Sequence, residues 1–581
     1  MAPGQVRATT MTSRTAPASS GARGAIGQTV GVRSTWLRLP AVAVVVALGV
    51  AACTSTKPPA GATTTPNPPT SAEDSSTARS ALASSLPPLP SSSGVAGSPT
   101  SVAGGAQPPT PSQLPHIDEA SLQAFYTQQL AWKSCSGGYQ CAQLKVPFDY
   151  AKPSGVALEL SVVREQTGVK SKLGSVVLNP GGPGGSGVQY ARAAAPIIGL
   201  QLGGKFDIVG FDPRGVGESA PVRCLSAKEL DQWVAFEADP TSSREIAQQD
   251  VLAKGFAAGC GAKSGVLLAH VSTVDTARDL DVLRAALGDP KLSYIGASYG
   301  TFLGAIYAQL FPTHVRALVL DGALDPSSSA ADLDHTQAKG FEVALQSYIA
   351  SCVSHGNCPL GTSTAGAEPQ LDRWLAVVKA TPIRASNGRV LTQALAVGGI
   401  AAALYAPTSW GDLTAALVSA FKGDPSRLLE LSDQIDGRQS NGTYDNLVES
   451  NSAINCVDRP GLGPTIADYA REAIAGDKDG PTFGEFIGWG NVACAEWPVA
   501  PELAPGPVSA VGAPPILVIG TLRDPATPYV GAQALAKQLG GSLLTFDGDG
   551  HTAFLRSTCV DNVVKSYVVA LKTPAVGTIC K

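Results

Sequence analysis

Ser298 stands between glycines in the sequence GASYG (296–300), which is the spacing of a nucleophile on a sharp turn. The apolar run before it, 292–295, predicts a strand, and residues 301–310 after it have the pattern of a helix. In that setting the glycines allow a tight turn, and the helix N-terminus beneath the turn supplies partial positive charge. A bare GxSxG is common by chance, so the strand-turn-helix setting carries the prediction that Ser298 is a nucleophile.

A serine hydroxyl needs a general base, and the base needs an orienting carboxylate. His551, in GDGHT (548–552), follows a predicted strand and is the base that we expect, since the other five histidines border the N-terminal segment or lie in helical, lid or turn contexts. Asp524 follows the preceding predicted strand, which gives the chain order Ser, Asp, His. Asp321, at the end of an earlier strand, is the alternative acid.

The glycine-rich run NPGGPGGSG (179–187) directly follows another apolar strand. Glycines leave backbone N–H groups uncovered, and one of them could act with the N–H of Tyr299 on the oxyanion of a tetrahedral intermediate, a contact worth about 3 to 4 kcal/mol. Gly182 is the first choice and Gly181 the second. No Lys-Ser/Thr pair follows, which argues against a phosphate loop, while a plain tight turn stays open.

Near-continuous apolar runs separated by helical patterns, such as 276–287, indicate buried parallel strands. The fold class is therefore α/β. The runs predicted as strands are 157–163, 175–179, 206–211, 292–295, 317–320, 515–519 and 543–546.

Residues 326–510 lack this alternation and are helical in pattern, notably at 392–404 and 413–421. They predict a helical lid inserted between two parts of the core, 116–325 and 511–581. At the start of the core, a helix over 120–132 is predicted to lead into Cys135.

The N-terminal segment predicts export. Small apolar residues at 41–52 lie behind Arg33 and Arg38, a stretch too short to span a bilayer comfortably, and Val-Ala-Ala-Cys53 resembles the lipobox of bacterial lipoproteins. We therefore expect a leader at 1–52 and a lipid anchor on Cys53, placing the protein at the cell membrane facing the envelope; a plain signal peptide with secretion, or an uncleaved anchor, stays open. Residues 53–115 are rich in Ser, Thr, Pro, Ala and Gly and predict a disordered tether.

Ten cysteines are left when Cys53 is set aside, an even number typical of exported disulfide proteins. Connectivity does not follow from sequence, and sequential pairing is the hypothesis that keeps each loop short. No CxxC pair occurs and the chain has only six histidines, so we expect no metal site. The hypothetical pairs are Cys135 with Cys141, Cys224 with Cys260, Cys352 with Cys358, Cys456 with Cys494, and Cys559 with Cys580.

The charge balance argues against nucleic acid as a partner. The chain of 581 residues has 42 Lys and Arg against 46 Asp and Glu, a net charge of −4. Binding to a polyanion calls for a strongly basic surface, which this composition does not favour.

Five motifs follow one another along the chain: NPGGPGGSG, FDPRGVGES, GASYGT, RDPATP and GDGHT. In this order they resemble those of the secreted tripeptidyl aminopeptidases of actinobacteria, which belong to the α/β-hydrolase branch that includes proline iminopeptidase. The chain is also similar to the mycobacterial cell-envelope serine protease of that group, a predicted lipoprotein. The resemblance covers residues 120–581 and implies an α/β-hydrolase fold with a mainly parallel, doubly wound sheet. Iminopeptidases have His at the position of Pro180. This difference affects only a role for the side chain at that position, and the backbone N–H groups of the loop can still bind the oxyanion.

The resemblance implies roles for Ser298 as nucleophile, Asp524 as orienting acid and His551 as base, in a peptidase that acts near free N-termini through an acyl-enzyme and needs no cofactor. Recognition of a substrate ammonium calls for a carboxylate partly removed from water. Asp458 and Glu496 in the lid are the candidates, although solvated acids or local caps are the open alternative. An esterase or lipase with the same triad, and a non-catalytic scaffold, are the other functions considered.

Overall fold

The computed structural model describes residues 107–114 and 119–581. In this part of the chain a ten-stranded sheet runs in the order β1-β2-β3-β5-β4-β6-β7-β8-β9-β10. Strands β1 to β3 pair antiparallel, β3 pairs antiparallel with β5, and the remaining pairs are parallel. The predicted α/β fold with a mainly parallel sheet is confirmed. The strands are β1 Lys133–Ser134, β2 Gln140–Pro147, β3 Ala157–Glu165, β4 Ser175–Asn179, β5 Asp207–Phe211, β6 Leu292–Ala297, β7 Val315–Asp321, β8 Leu517–Arg523, β9 Ser542–Asp549 and β10 Ile579–Cys580.

The central strands are apolar on both faces because helices cover both sides of the sheet. Val176 and Val177, neighbours on β4, are both fully buried but belong to the cores on opposite faces. The helices of the described residues are α1 Gln123–Tyr126, α2 Gly187–Gln201, α3 Ala227–Val234, α4 Ser243–Ser264, α5 Thr273–Ala286, α6 Tyr299–Leu310, α7 Ala330–Ser354, α8 Thr364–Ala380, α9 Gln393–Leu404, α10 Trp410–Ala420, α11 Ser426–Asp436, α12 Leu447–Asp458, α13 Ile466–Gly476, α14 Gly484–Gly488, α15 Tyr529–Leu539 and α16 Thr558–Ala570. Helices α2 and α16 cover one face; α5, α6 and α15 cover the other.

The prediction of a helix over 120–132 is wrong beyond residue 126. A 3₁₀ turn and the short α1 end at Tyr126, and the chain then runs irregularly toward β1. The Gln128 side chain explains the change, because its amide donates to the Lys145 carbonyl and accepts from the Lys145 N–H, so it is held against β2. Trp132 packs under the Arg164 guanidinium, 4.1 Å from its ring centroid.

The segment between β7 and β8 is helical, from α7 to α14, with one small hairpin that pairs Ile383–Arg384 with Val390–Leu391. Much of it has its own apolar core. Helix α12 differs, because Ala453, Ile454 and Val457 belong to the core that covers the sheet. The predicted lid is therefore joined to the main body by a shared core at α12.

The last part of the predicted tether contacts the folded body. Pro111 is buried, and the Pro109 carbonyl accepts a hydrogen bond from the Ala504 N–H at 2.9 Å. The predicted leader and the lipidation site Cys53 lie outside the described residues.

Five disulfides in the described chain join the cysteines in the sequential pairs: 135–141, 224–260, 352–358, 456–494 and 559–580. The Cys224–Cys260 bond ties down a helical stretch, Ser243–His270, that is long and apolar enough to cross a membrane by length and composition alone. Phe256 on this stretch is fully buried. The stretch is therefore attached to the folded body by both packing and a covalent bond.

Candidate active site

Ser298 occupies the turn between β6 and α6 with a backbone φ of +57°. Few residues other than glycine adopt this region, and the strain it costs is typical of functional sites. The Ser298 N–H donates to the Asp321 carbonyl at 2.9 Å, which holds the turn against β7. A Cβ at Gly296 would lie 2.3 Å from the Gly300 carbonyl oxygen, so this turn requires glycine there.

The structure brings Asp524 and His551 together at the ends of the adjacent strands β8 and β9. His551 Nδ1 lies 2.9 Å from Asp524 Oδ1 and 3.3 Å from Thr527 Oγ1. The Asp524 carboxylate also accepts the N–H groups of Ala526 at 3.0 Å, Thr527 at 2.9 Å and Thr552 at 3.2 Å. The carboxylate is thereby fixed, and it orients the imidazole.

The other ring nitrogen, His551 Nε2, is buried and has no hydrogen-bond partner among the described residues. His551 and Ser298 line the same cavity. A lid residue fixes the histidine loop, because the His551 N–H donates to the Tyr405 carbonyl at 2.7 Å and the Tyr405 ring packs edge-on at 5.2 Å between centroids. The arrangement gives an oriented imidazole with one nitrogen open toward the cavity.

Asp321, the alternative acid, has a different role. Its carboxylate accepts the N–H groups of Ala553 and Phe554, at 3.0 and 2.8 Å, and so shapes the loop that follows His551. Burial raises the pKa of Asp321 to about 6. The hydrogen bonds found at Nδ1 of His551 go to Asp524 and Thr527 instead.

The glycine-rich loop lies directly on the serine turn. A Cβ at Gly181, where φ is +91°, would meet Ser298 Cβ at 2.8 Å and Tyr299 N at 2.9 Å. The Gly181 N–H donates to Asn179 Oδ1 at 2.9 Å, so in this structure it already has an acceptor. Gly182 also lines the cavity, and Tyr299 is the first residue of α6, whose N–H has no intrahelical acceptor.

The cavity has a volume of about 590 Å³, within the roughly 300–1,000 Å³ range of ligand pockets. Its walls combine the glycine-rich loop and the turns that carry Ser298 and His551 with side chains from the helical segment between β7 and β8. Charged side chains in the wall are Glu237, Asp334, Asp436, Asp445 and Arg459.

Neither acid predicted to bind the substrate ammonium lines this cavity. Asp458 is 2% exposed, and its carboxylate accepts the N–H and the hydroxyl of Thr273 at 2.6 and 2.5 Å. Thr273 starts α5, where a backbone N–H needs a partner, and its hydroxyl also contacts the Tyr299 hydroxyl. Glu496 faces the solvent-accessible Lys254 at 3.7 Å. The sequence showed that both residues are acidic, but not which tertiary contacts their carboxylates make.

Helix α12 contributes contacts that sequence inspection missed. Asn451 Nδ2 donates to the Pro183 carbonyl at 3.0 Å, and Asn446 Oδ1 accepts the Gly217 N–H at 2.8 Å. Glu449 accepts the N–H groups of Cys224 and Leu225. These polar residues follow no motif, and their partners lie more than 200 positions away, so no local signal identifies them.

Arg214 belongs to the FDPRGVGES motif, residues 211–219. Its side chain is fully buried and bonds to Asp279 through two nitrogens, with both contacts at 2.7 Å. Its guanidinium also donates to Asp275 at 3.2 Å and to the Pro147 carbonyl at 2.9 Å. The charges of Asp279 and Asp275 raise the Arg214 pKa even though burial opposes the charge. The motif therefore braces the loop after β5 and places no charge in the cavity.

The family model described as "alpha/beta hydrolase fold" matches residues 174–558. The chain is 39% identical to the serine protease Hip1 of Mycobacterium tuberculosis over 481 residues, 78% of this chain and 91% of that protein. It is 37% identical to a carboxylesterase B of the same species over 78% of this chain and 90% of that protein. It is 32% identical to a tripeptidyl aminopeptidase of Streptomyces lividans over 77% of this chain and 86% of that protein. The chain belongs to the α/β-hydrolase family.

Proposed function

We propose that this protein is an exported serine peptidase that cleaves peptides near their free N-termini through a Ser298-Asp524-His551 triad. The observation that carries the proposal is the Asp524–His551 pair, with His551 Nε2 unpartnered in a cavity that it shares with Ser298. Relatives named serine protease and tripeptidyl aminopeptidase, each matched over most of its length, support peptide bonds as the substrate class.

In the proposed reaction, Ser298 Oγ attacks the carbonyl carbon of the scissile bond while His551 Nε2 accepts the hydroxyl proton. The N–H groups of Gly182 and Tyr299 donate to the oxyanion of the tetrahedral intermediate. His551 then gives its proton to the leaving amine, and the C–N bond breaks to leave an acyl-enzyme. Water repeats the attack with His551 again as base, which releases the acid and restores the hydroxyl.

An esterase with the same triad is the second candidate, and the relative named carboxylesterase B favours it. The test compares hydrolysis of p-nitrophenyl esters with that of one tripeptide amide, unblocked and N-acetylated. We expect the unblocked peptide to be cleaved much faster than the acetylated one. Ester hydrolysis without cleavage of either peptide would establish the esterase in place of the peptidase.

Labelling with a fluorophosphonate probe tests the nucleophile directly. We expect the wild-type protein to be labelled at Ser298 and the Ser298→Ala variant to stay unlabelled while unfolding at the same temperature. An unlabelled wild-type protein that is folded would point to a non-catalytic scaffold.

Export and membrane attachment through Cys53 are part of the proposal. Five disulfides in the described chain are typical of proteins that fold in an oxidising compartment. We expect the wild-type protein to incorporate labelled palmitate and to fractionate with membranes, and Cys53→Ala to do neither. Equal palmitate incorporation by both proteins would rule out this anchor.

A further inference from the structure

Besides His551 Nε2, three buried polar atoms in the cavity-lining residues have no hydrogen-bond partner among the described residues: Glu237 Oε2, Gln249 Oε1 and Trp489 Nε1. Gln249 and Trp489 are only 7% and 6% exposed. A buried polar atom without a hydrogen-bond partner destabilises the empty cavity. A ligand that supplies the missing partners would recover this cost.

The three residues lie on, or just beyond, elements that pack together. On α4, Ile246 and Ala253 lie one turn to either side of Gln249 and share its face of the helix. Both pack in one apolar cluster with Trp489 and with Trp233 of α3. Glu237 follows Trp233 by four residues, just beyond the end of α3. The unpartnered atoms are therefore held by elements that pack together.

The unpartnered atoms are two acceptors, one of them a carboxylate oxygen, and one donor. The first residue of an unblocked peptide offers the complement, because its ammonium donates and its carbonyl accepts. We propose that Glu237, Gln249 and Trp489 form the subsite for the free N-terminal residue of the substrate. Glu237 and Gln249 accept from the ammonium, and Trp489 donates to the first carbonyl. This subsite rests on the proposed peptidase function and replaces Asp458 and Glu496 in that role.

The charges around Glu237 favour a cationic ligand. Burial raises the pKa of Glu237, Asp239 and Glu245 add to the shift, and Lys379 opposes it. The Lys379 ammonium is bonded to Asp239 Oδ1 at 2.7 Å, so it does not supply the hydrogen bond that Glu237 Oε2 lacks. An arriving ammonium supplies both the hydrogen bond and the counter-charge.

Two of the other cavity carboxylates accept hydrogen bonds from the protein. Asp436 accepts from the Ser432 hydroxyl at 3.1 Å, and Asp445 accepts the Leu447 N–H at 2.9 Å. Asp334 interacts with the charge of Arg459. Among the carboxylates of the described cavity lining, Glu237 is the one with a buried oxygen that lacks a hydrogen-bond partner.

The experiment measures kcat/KM for one tripeptide p-nitroanilide, unblocked and N-acetylated, and for p-nitrophenyl acetate. In Glu237→Gln we expect kcat/KM on the unblocked peptide to fall about 10- to 100-fold, mainly through KM, because a charged hydrogen bond is lost. In Gln249→Leu the expected fall is about 3- to 10-fold. Rates on the acetylated peptide and on the ester should not change in either variant. Glu430→Gln, an exposed lid glutamate outside the cavity lining, is the matched control and should match wild type on all three substrates.

Thermal unfolding of each variant confirms that the compared proteins are folded. If wild type prefers the unblocked peptide and both variants keep that preference, the subsite is refuted while the peptidase function stands. Equal losses on the unblocked and acetylated peptides would also refute it, because they indicate a general disturbance of the cavity. If wild type hydrolyses the ester but neither peptide, the proposed function itself fails.

Discussion

Two buried carboxylates, Asp321 and Asp524, lie at the ends of the paired strands β7 and β8. Their hydrogen bonds separate their roles, since Asp524 contacts the His551 ring and Asp321 contacts backbone N–H groups after His551. Sequence alone left both open, because each aspartate follows or ends an apolar strand. Only the path of the loop after β9, which carries His551, determines which of the two aspartates contacts the imidazole ring.

At the residue scale, Asp524→Asn should lower kcat about 10³- to 10⁴-fold, because an amide no longer fixes the imidazole tautomer or stabilises the imidazolium. Asp321→Asn should lower kcat about tenfold or less, since an amide oxygen keeps one acceptor for the loop. Steady-state kinetics of the two variants on one substrate decides between them. A larger loss in Asp321→Asn would reverse the assignment of the acid.

Gly181 allows the glycine-rich loop to approach the serine turn. Gly181→Ala should lower kcat at least about 100-fold, because its Cβ would collide with Ser298 and Tyr299 at a backbone angle that alanine disfavours. Gly168→Ala is the control, since a Cβ there meets no atom within 4 Å. The measurement is kcat together with the unfolding temperature. Unchanged activity in Gly181→Ala would mean that this close approach is not needed for the reaction.

At the element scale, each of the seven predicted strand runs matches a strand of the sheet, but β1, β2 and β10 were not predicted, and the helix over 120–132 is wrong beyond residue 126. The run 175–179 is buried at every position because helices cover both faces of the sheet, and its three central residues are apolar, so its pattern is strong in the sequence. The helix predicted over 120–132 has a plausible local pattern, but Gln128 bonds to β2 instead. Asp458 was similarly misassigned, because its partner Thr273 lies 185 positions earlier in the chain.

Asp458 joins α12 to the start of α5 and should make stability depend on pH. Burial raises its pKa to about 7, from about 4 in an unfolded chain, so the folded protein binds the proton more tightly. The free energy of unfolding of wild type, minus that of Asp458→Asn, should therefore fall as the pH rises from about 4 to about 7, by at most about 1.4 kcal/mol per pH unit. Denaturant unfolding across this range measures the difference. A difference that stays constant or increases with pH would contradict the expectation.

At the scale of the whole molecule, the disulfides hold loops of different lengths. Cys456 and Cys494 are 38 residues apart, whereas Cys352 and Cys358 are only 6 apart. Replacing the first pair with serines should lower the free energy of unfolding by about 4 kcal/mol, and replacing the second by about 2 kcal/mol, because a longer closed loop restricts the unfolded chain more. Denaturant unfolding of the two double variants tests this order. Equal losses would indicate that the folded state, rather than loop length, determines the effect.

Helix α12 bonds to the glycine-rich loop through Asn451 and to α5 through Asp458. It bonds to the loop after β5 through Glu449 and through Asn446, the residue just before the helix. Moving α12 away from the cavity would break several buried hydrogen bonds at once. We therefore expect a polypeptide substrate to thread into the cavity rather than to enter through a hinged movement of this helix. Compact globular proteins would then be poorer substrates than flexible peptides. Such an enzyme is suited to degrade fragments that other proteases have already released.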